Sequence, residues 1–377
     1  MKNFLLLCLI PVLFACNEKT QETPSESYIP ELVIKDSLVI DNLTQLTLID
    51  VKEDNSEYLF YDFKTKEFLR VDSSGDILLR ANRTGDGKDN YKSSYFYTAN
   101  YSGNDEIMLT TNSEYFRYDL NFNLKESQPM EFVLLTRRSG ENRAAQSYGS
   151  YLYTFSVELQ DMDKVYNSGI FNISYPLLTI RDLATLKRIS ADSLPKESQP
   201  AIHNGMFLSF DPIVQFRKDE MFVLFPYSPE IYVYNFPELK LKSTWELNPS
   251  KEYKQTLPTN STQNFDGFFK DLAGSQYTGL AFSNDYLVTM FQGAVPQEEV
   301  DALPRNVVGD KRYMALEEKY KSEMYYQVFK GEEKIWEGTW DVNLSSVRDV
   351  LYSNAKPGED PDAVEKDVQT FYFYELR

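Results

Sequence analysis

An all-β chain built as a propeller is what this sequence predicts. Three observations carry the prediction: high aromatic content, short strands joined by tight turns, and recurrence of those strands in groups. Aromatic residues make up 15% of the 377 positions, with 27 Tyr and 25 Phe against 3 Trp, and such residues favour pleated, half-buried surfaces. The pattern is clearest over residues 57–79, which read EYLFYDF, a turn at Lys64-Thr65-Lys66, EFLRV, the turn Asp72-Ser73-Ser74-Gly75-Asp76, and ILLR. Strands joined this closely form an antiparallel meander.

The later groups repeat that plan. EIMLTT, EYFRYDL and LKESQPM follow from residue 106; YLYTFSV, PLLTIRDL and LKRISAD from 151; MFVLFPY, EIYVYNF and LKLKSTWEL from 221. A fifth group begins TGLAFSNDYLVTMFQ, is interrupted, and resumes as YYQVFKGEEKIWEGTWDV, and a last one holds VRDVLYS and TFYFYEL. A period of roughly 45 to 60 residues is that of propeller blades. About six sheets result, so six blades is the expected count, with seven left open. Segments such as 221–225 and 231–236 are apolar on both faces, as strands covered on both sides by neighbouring blades must be. Residues 32–40 are expected to complete the last blade beside 371–376, which removes a bare sheet edge. Two β-sandwiches would show a linker near mid-chain, and none is found. Trp340-Asp341 matches the dipeptide of WD repeats but in one group only, and is read as chance.

Residues 296–324 differ in kind, being rich in Glu, Lys, Ala and Leu. Tyr313, Leu316, Tyr320 and Met324 fall at helical spacing and Glu317 pairs with Lys321 at i,i+4, so a helical insertion is expected there, docked on the propeller and covering apolar surface.

The first residues read as an export signal: Lys2 is followed by a nearly all-apolar run over 4–14, with Ala15 before Cys16. The run is shorter than the roughly 20 apolar residues of a membrane-spanning helix. Leu13-Phe14-Ala15-Cys16 resembles the lipobox of bacterial lipoproteins, which implies cleavage before Cys16 and acylation of that cysteine, with palmitate among the acyl chains. The other cysteine, Cys8, would be discarded, leaving neither a disulfide nor a thiol nucleophile. The polar stretch 17–28 reads as a flexible tether. The expected division is a signal peptide at 1–15, lipidated cysteine and tether at 16–28, and one propeller domain at 29–377.

A formal net charge of −18 disfavours nucleic acid and broad contact with anionic lipid, so the lipid itself must supply the membrane contact. One histidine, His203 in QPAIHNGMF, excludes a multi-histidine metal site. No Gly-x-Ser-x-Gly elbow or P-loop occurs, and no cofactor is expected. Asp86, Lys88 and Asn90 imitate the start of a calcium loop, but lysine at a ligand position makes this a turn. The acidic loop 359–362 reads as solvated. Arg137, Arg138 and Arg143 in TRRSGENR stand out in an acidic chain. Guanidinium groups clustered in a loop suit carboxylate, phosphate or sulfated-sugar recognition, so these three and His203 are the candidate ligand contacts. Tyr148, Tyr151 and Trp336 would stack on sugars if they lined the propeller mouth, although most aromatics should be core.

The lipobox together with YLFYDFKTKEFLRVDSSGDILLRANRTGDGKDNYKSSYFY resembles the six-bladed propeller lipoproteins of Bacteroidota, including a family known only as a domain of unknown function. That stretch looks like their first blade followed by a Gly-rich loop. The resemblance implies a fold and an envelope location, with the outer membrane favoured, and no agreed activity. Asp36-Ser37-Leu38 and Asp192-Ser193-Leu194 look like the O-glycosylation triplets of that phylum, which makes Ser37 and Ser193 candidate acceptors. The expected function is a binding or scaffold module for an envelope protein, glycan or peptide. The alternative is a hydrolase or lyase using carboxylates and arginines at the central channel, chemistry that needs neither His nor Cys.

Overall fold

The computed structural model describes residues 30–377 apart from 94, 104, 137–139, 168–169, 172–173, 203–210, 256–272, 305–306, 308 and 360–366. Six antiparallel sheets form the blades, each given from its first strand outward. Blade 6 opens the chain's numbering, because its outermost strand is β1 (Leu32–Ile40). Blade 1 holds β2 (Thr47–Val51), β3 (Glu57–Asp62), β4 (Glu67–Asp72) and β5 (Ile77–Asn82). Blade 2 holds β6 (Thr98–Ser102), β7 (Glu106–Thr110), β8 (Glu114–Asp119) and β9 (Leu124–Pro129). In blade 3 the first position is shared by β10 (Phe132–Leu134) and β11 (Ala145–Tyr148), which pair with opposite halves of β12 (Tyr151–Glu158). A small hairpin, β13 (Tyr166–Asn167) with β14 (Ile170–Phe171), precedes β15 (Leu178–Asp182) and β16 (Arg188–Asp192). Blade 4 is β17 (Ile213–Arg217), β18 (Glu220–Leu224), β19 (Glu230–Asn235) and β20 (Lys240–Glu246). Blade 5 is β21 (Gln276–Ser283), β22 (Tyr286–Gln292), β23 (Met324–Lys330) and β24 (Glu333–Gly338); blade 6 is β25 (Ser345–Val347), β26 (Val350–Ser353), β27 (Gln369–Leu376) and β1. The first strands neighbour one another round the ring, β2 with β6 and β25, β6 with β11, and β21 with β17 and β25.

Alternation along a strand explains how one blade serves two seams. On β3, Tyr58 and Phe60 enter the apolar cluster shared with blade 6, whereas Leu59 and Tyr61 enter the one shared with blade 2. Six such clusters, one per seam, hold most of the buried apolar residues. Rings fill them: Tyr58 stacks on Phe373 at 4.9 Å, Phe68 on Phe122 at 5.1 Å, and Tyr148 on Phe216 at 4.8 Å. Each such pair contributes about 0.5–1.5 kcal/mol beyond its area. The high aromatic content is therefore the material of the seams, and the doubly apolar strands are those with a seam on each face.

Ring closure joins the two ends of the described chain. β1 pairs antiparallel with β27 from Leu32↔Leu376 to Ile40↔Gln369, and Glu31 and Arg377 exchange backbone hydrogen bonds of 3.2 and 3.0 Å. Blade 1 holds the closing strand in turn: Gly75, at φ +94°, lies so close to β1 that a Cβ there would meet the Val39 carbonyl oxygen at 2.3 Å. Only glycine suits that turn.

The insertion expected at 296–324 is two helices, Gln297–Asp301 and Lys311–Lys321, set between β22 and β23. Asp310 caps the second, its carboxylate accepting from the amides of Arg312 and Tyr313 at 2.8 and 3.3 Å, as N-caps do. Leu316 and Tyr320 pack on Val295 and Val300, so the helix is docked. Met324, placed on the helical face by spacing, instead begins β23, because the helix stops at Lys321.

Candidate functional site

In every blade the first and second strands meet at one end of the ring, the hairpin end, while the connections between blades and the insertion lie at the other, the loop end. A central channel with a cavity of about 580 Å³ runs between them, lined by first strands of blades 1, 3, 4, 5 and 6.

At the hairpin end the channel is crossed by one side chain. Arg348 occupies the two-residue turn between β25 and β26 at φ +48°. Its guanidinium donates to both oxygens of Asp50 on blade 1, at 2.7 and 2.9 Å, to the Tyr101 carbonyl on blade 2 at 3.3 Å and to the Ser147 carbonyl on blade 3 at 3.4 Å. Gln215 on blade 4 donates to the Arg348 carbonyl at 2.7 Å, and Phe282 N on blade 5 donates to Asp349 at 3.2 Å. All six blades therefore meet at Arg348-Asp349. A register shift between Leu48 and Asp50 turns the Asp50 carboxylate, 1% exposed, onto this point, as bulges re-aim side chains. Burial works against the Arg348 charge, but the attraction and hydrogen bonds of Asp50 outweigh it, and the pKa moves up. This is the bidentate geometry in which a shielded ion pair holds together.

The loop end is built otherwise. Asn142, at φ +53°, stitches two blades: its amide donates to the carbonyls of Ile49 and Ala99 at 2.9 and 2.8 Å and accepts from Ala99 N at 2.9 Å. Beside it Arg143 pairs with Glu141 at 2.9 Å and donates to the Thr278 carbonyl across the channel at 3.0 Å. Lys321, the last residue of the long helix, also lines the channel and is only 9% exposed. Burial pushes its pKa down to about 8, opposed in part by Glu317. Asn343 fixes the helix end by donating to the Ser322 carbonyl at 3.0 Å. Tyr352 lines the same cavity, and burial raises its hydroxyl to about 12.

Of the residues singled out by sequence, Arg143 is in the channel wall, whereas Arg137, Arg138, His203 and Cys16 lie outside the described residues. The signal segment, the tether and positions 360–362 lie outside them too. Ser37 is exposed on β1 and Ser193 half-buried just beyond β16. Tyr148 and Tyr151 pack against the seam of blades 3 and 4, and Trp336 stacks on Trp340 at 4.8 Å in the seam of blades 5 and 6. None of those three lines the channel. The aromatic side chains beside the loop end are others. Phe63 is 51% and Tyr95 48% exposed, and Phe63 Cζ lies 3.7 Å from where a side chain on Gly140, a channel residue, would begin. Asp50, Asn142, Lys321 and Arg348 carry no motif. Only the Arg348-Asp349 pair between SSV and VLYS hints at its hairpin.

Fold and channel together define a six-bladed propeller with an axial cavity of mixed polar and apolar lining, pinned at one end. No protein-family model matches the sequence, and no curated protein matches it. In three dimensions the chain is similar to a member of the DUF4221 family from Bacteroides vulgatus, at 12% identity and TM-score 0.58, over 92% of this chain and 98% of that one. It is also similar to a Bacteroides fragilis protein described as a candidate exported protein, at 12% identity and TM-score 0.57, over 93% and 96% of the two chains. The likeness is one of fold, and its source agrees with the Bacteroidota resemblance read from the sequence.

Proposed function

We propose that this is a lipid-anchored binding protein of the cell envelope whose ligand site is the loop end of the central channel. One observation carries the reading: the carboxylates that line the channel are each paired with an arginine, Asp50 with Arg348 and Glu141 with Arg143, while the cavity between them is lined by amides and hydroxyls interleaved with apolar side chains such as Ile213, Met290 and Leu344. At the loop end that arrangement suits holding a ligand better than proton transfer; the carboxyl that burial raises to about 6, Asp349, sits in the hairpin at the opposite, pinned end, where it accepts from Phe282 N. Lipid on Cys16 would supply the membrane contact, a reading supported by the lipobox and by the export description of the Bacteroides fragilis protein of similar fold.

Ser345, exposed to the channel, gives the test. The full chain and its Ser345→Trp variant, which fills the cavity, are purified from envelopes of the native cell and compared by native mass spectrometry. A small molecule carried by the wild type and missing from the variant is expected. Identical spectra would count against a channel site. Separately, Cys16→Ser should move the protein from the membrane to the soluble fraction.

A further inference from the structure

Buried polar groups in folded proteins are paired almost without exception, and one that is not calls for an explanation. Gln146 on β11 is such a group. It is 8% exposed and lines the channel, and among the described residues its carboxamide has no hydrogen-bond partner. Alternation along the strand sets its direction. Ala145 packs into the cluster of blades 2 and 3, and the Ser147 hydroxyl donates to the Tyr101 carbonyl of blade 2 at 2.7 Å, so Gln146 between them faces blade 4 and the channel. Its counterpart on blade 4 is engaged: Gln215 donates to the carbonyls of Leu280 and Arg348, each at 2.7 Å. A second carboxamide without a partner, Gln292, is half-buried at the loop end of β22 and lines the same cavity. Gln146 stands two residues and Gln292 six residues from the pair that closes its hairpin, Tyr148↔Tyr151 and Ser283↔Tyr286. Their levels thus differ by about 13 Å along the channel. The wall's charged groups have partners within the protein, Asp50 with Arg348 and Glu141 with Arg143, and Lys321 has Glu317 beside it. Among the described residues its one aromatic side chain is Tyr352.

We infer that the channel takes an uncharged, extended peptide segment with apolar side chains, whose backbone amides pair with the carboxamides of Gln146 and Gln292. This rests on the channel being a ligand site and adds the class of ligand. A carboxamide offers an acceptor oxygen and two donor hydrogens, and a peptide unit offers one of each kind, so each glutamine both gives to and receives from a peptide group. An extended chain rises about 3.3 Å per residue, and four residues reach from one glutamine to the other. Its side chains meet the apolar part of the wall at Ile213, Met290 and Leu344, where burial favours binding. A sugar chain fits less well, because it asks for aromatic platforms.

Calorimetry on the full chain in detergent tests it, with acetyl-Ala-Val-Ala-Val-amide as probe. The controls are the same peptide with its backbone amides replaced by esters, maltotetraose and tetraglutamate. The probe should bind at least about tenfold tighter than any of them. Gln146→Leu should weaken the probe by about tenfold or more while its thermal midpoint equals or exceeds that of the wild type, because the substitution removes a buried amide that no protein group answers. A glutamine with a merely structural role would do the opposite, lowering the midpoint and leaving binding alone. Gln292→Leu, at a half-buried position, should also weaken the probe. No binding of the probe at millimolar concentration, a control that binds as tightly, a Gln146→Leu midpoint well below the wild type, or binding unchanged in either variant would each overturn the inference. The Ser345→Trp comparison stands apart from these outcomes, so a wrong ligand class is distinguishable from a wrong site.

Discussion

The two ends of the channel both bury charge, and they bury it to opposite effect. At the hairpin end Arg348 and Asp50 form a bidentate pair, Arg348 is tied to blades 1 to 4, and the arginine's proton is held more tightly than in water. At the loop end Lys321 sits in a wall where burial loosens its proton. A charge stabilised by its surroundings belongs to the architecture. A charge whose proton burial loosens, even with Glu317 opposing, costs stability, and such costs are commonly found at binding sites.

The sharpest way to break this contrast is at the pinned end. Asp50→Ala leaves the Arg348 guanidinium shielded and uncompensated, and should destabilise the fold by about 3–5 kcal/mol, measured by urea unfolding. Lys321→Met should do the reverse. The lysine pKa is lower in the folded than in the unfolded chain, so the unfolded chain holds the extra proton between about pH 8 and the ordinary lysine value. Wild-type stability therefore rises with pH across that window, by about 2–4 kcal/mol. The variant lacks this penalty and should be the more stable protein at pH 7, its advantage fading above pH 10.

Smaller effects sharpen the picture of closure. Gly75→Ala drives a methyl group into the Val39 carbonyl of β1 and should cost about 1–3 kcal/mol, with hydrogen exchange rising first in β1 and β27. Asn142→Ala removes hydrogen bonds between blades 1 and 2 and should cost about 1–3 kcal/mol. Phe63→Ala, at a half-exposed position, should change stability by about 0.5 kcal/mol or less, which separates rim from seam.

The fold was legible because its signals are local and repeated. Strand groups such as EYLFYDF and EFLRV carry turn residues at their ends, and the seams demand apolar residues on both faces of β3, β18 and β19. Closure by residues 32–40 was legible because that segment and 371–376 are the first and last strands along the chain, and pairing them removes a bare sheet edge. The site was only partly so. Arg143 was visible as a cation in an acidic chain, but Asp50 and Arg348 are almost 300 positions apart and nothing in either neighbourhood announces the other. Lys321 read as half of a helical ion pair, since helical spacing shows the Glu317 neighbour and hides the channel. Tyr148, Tyr151 and Trp336 pack against the seams, in line with the expectation that most aromatics are core, and side-chain type alone could not tell the rim from the interior. Phe63, in the turn between β3 and β4 after a run of core residues, looked like more core.

The measurement that bears most directly on this division of labour is urea unfolding of Lys321→Met beside the wild type at pH 7 and at pH 10.5. The variant should be more stable by about 2–4 kcal/mol at pH 7 and nearly equal at pH 10.5. A variant less stable than the wild type at pH 7, as Asp50→Ala should be, would contradict the account, because both ends of the channel would then be structural.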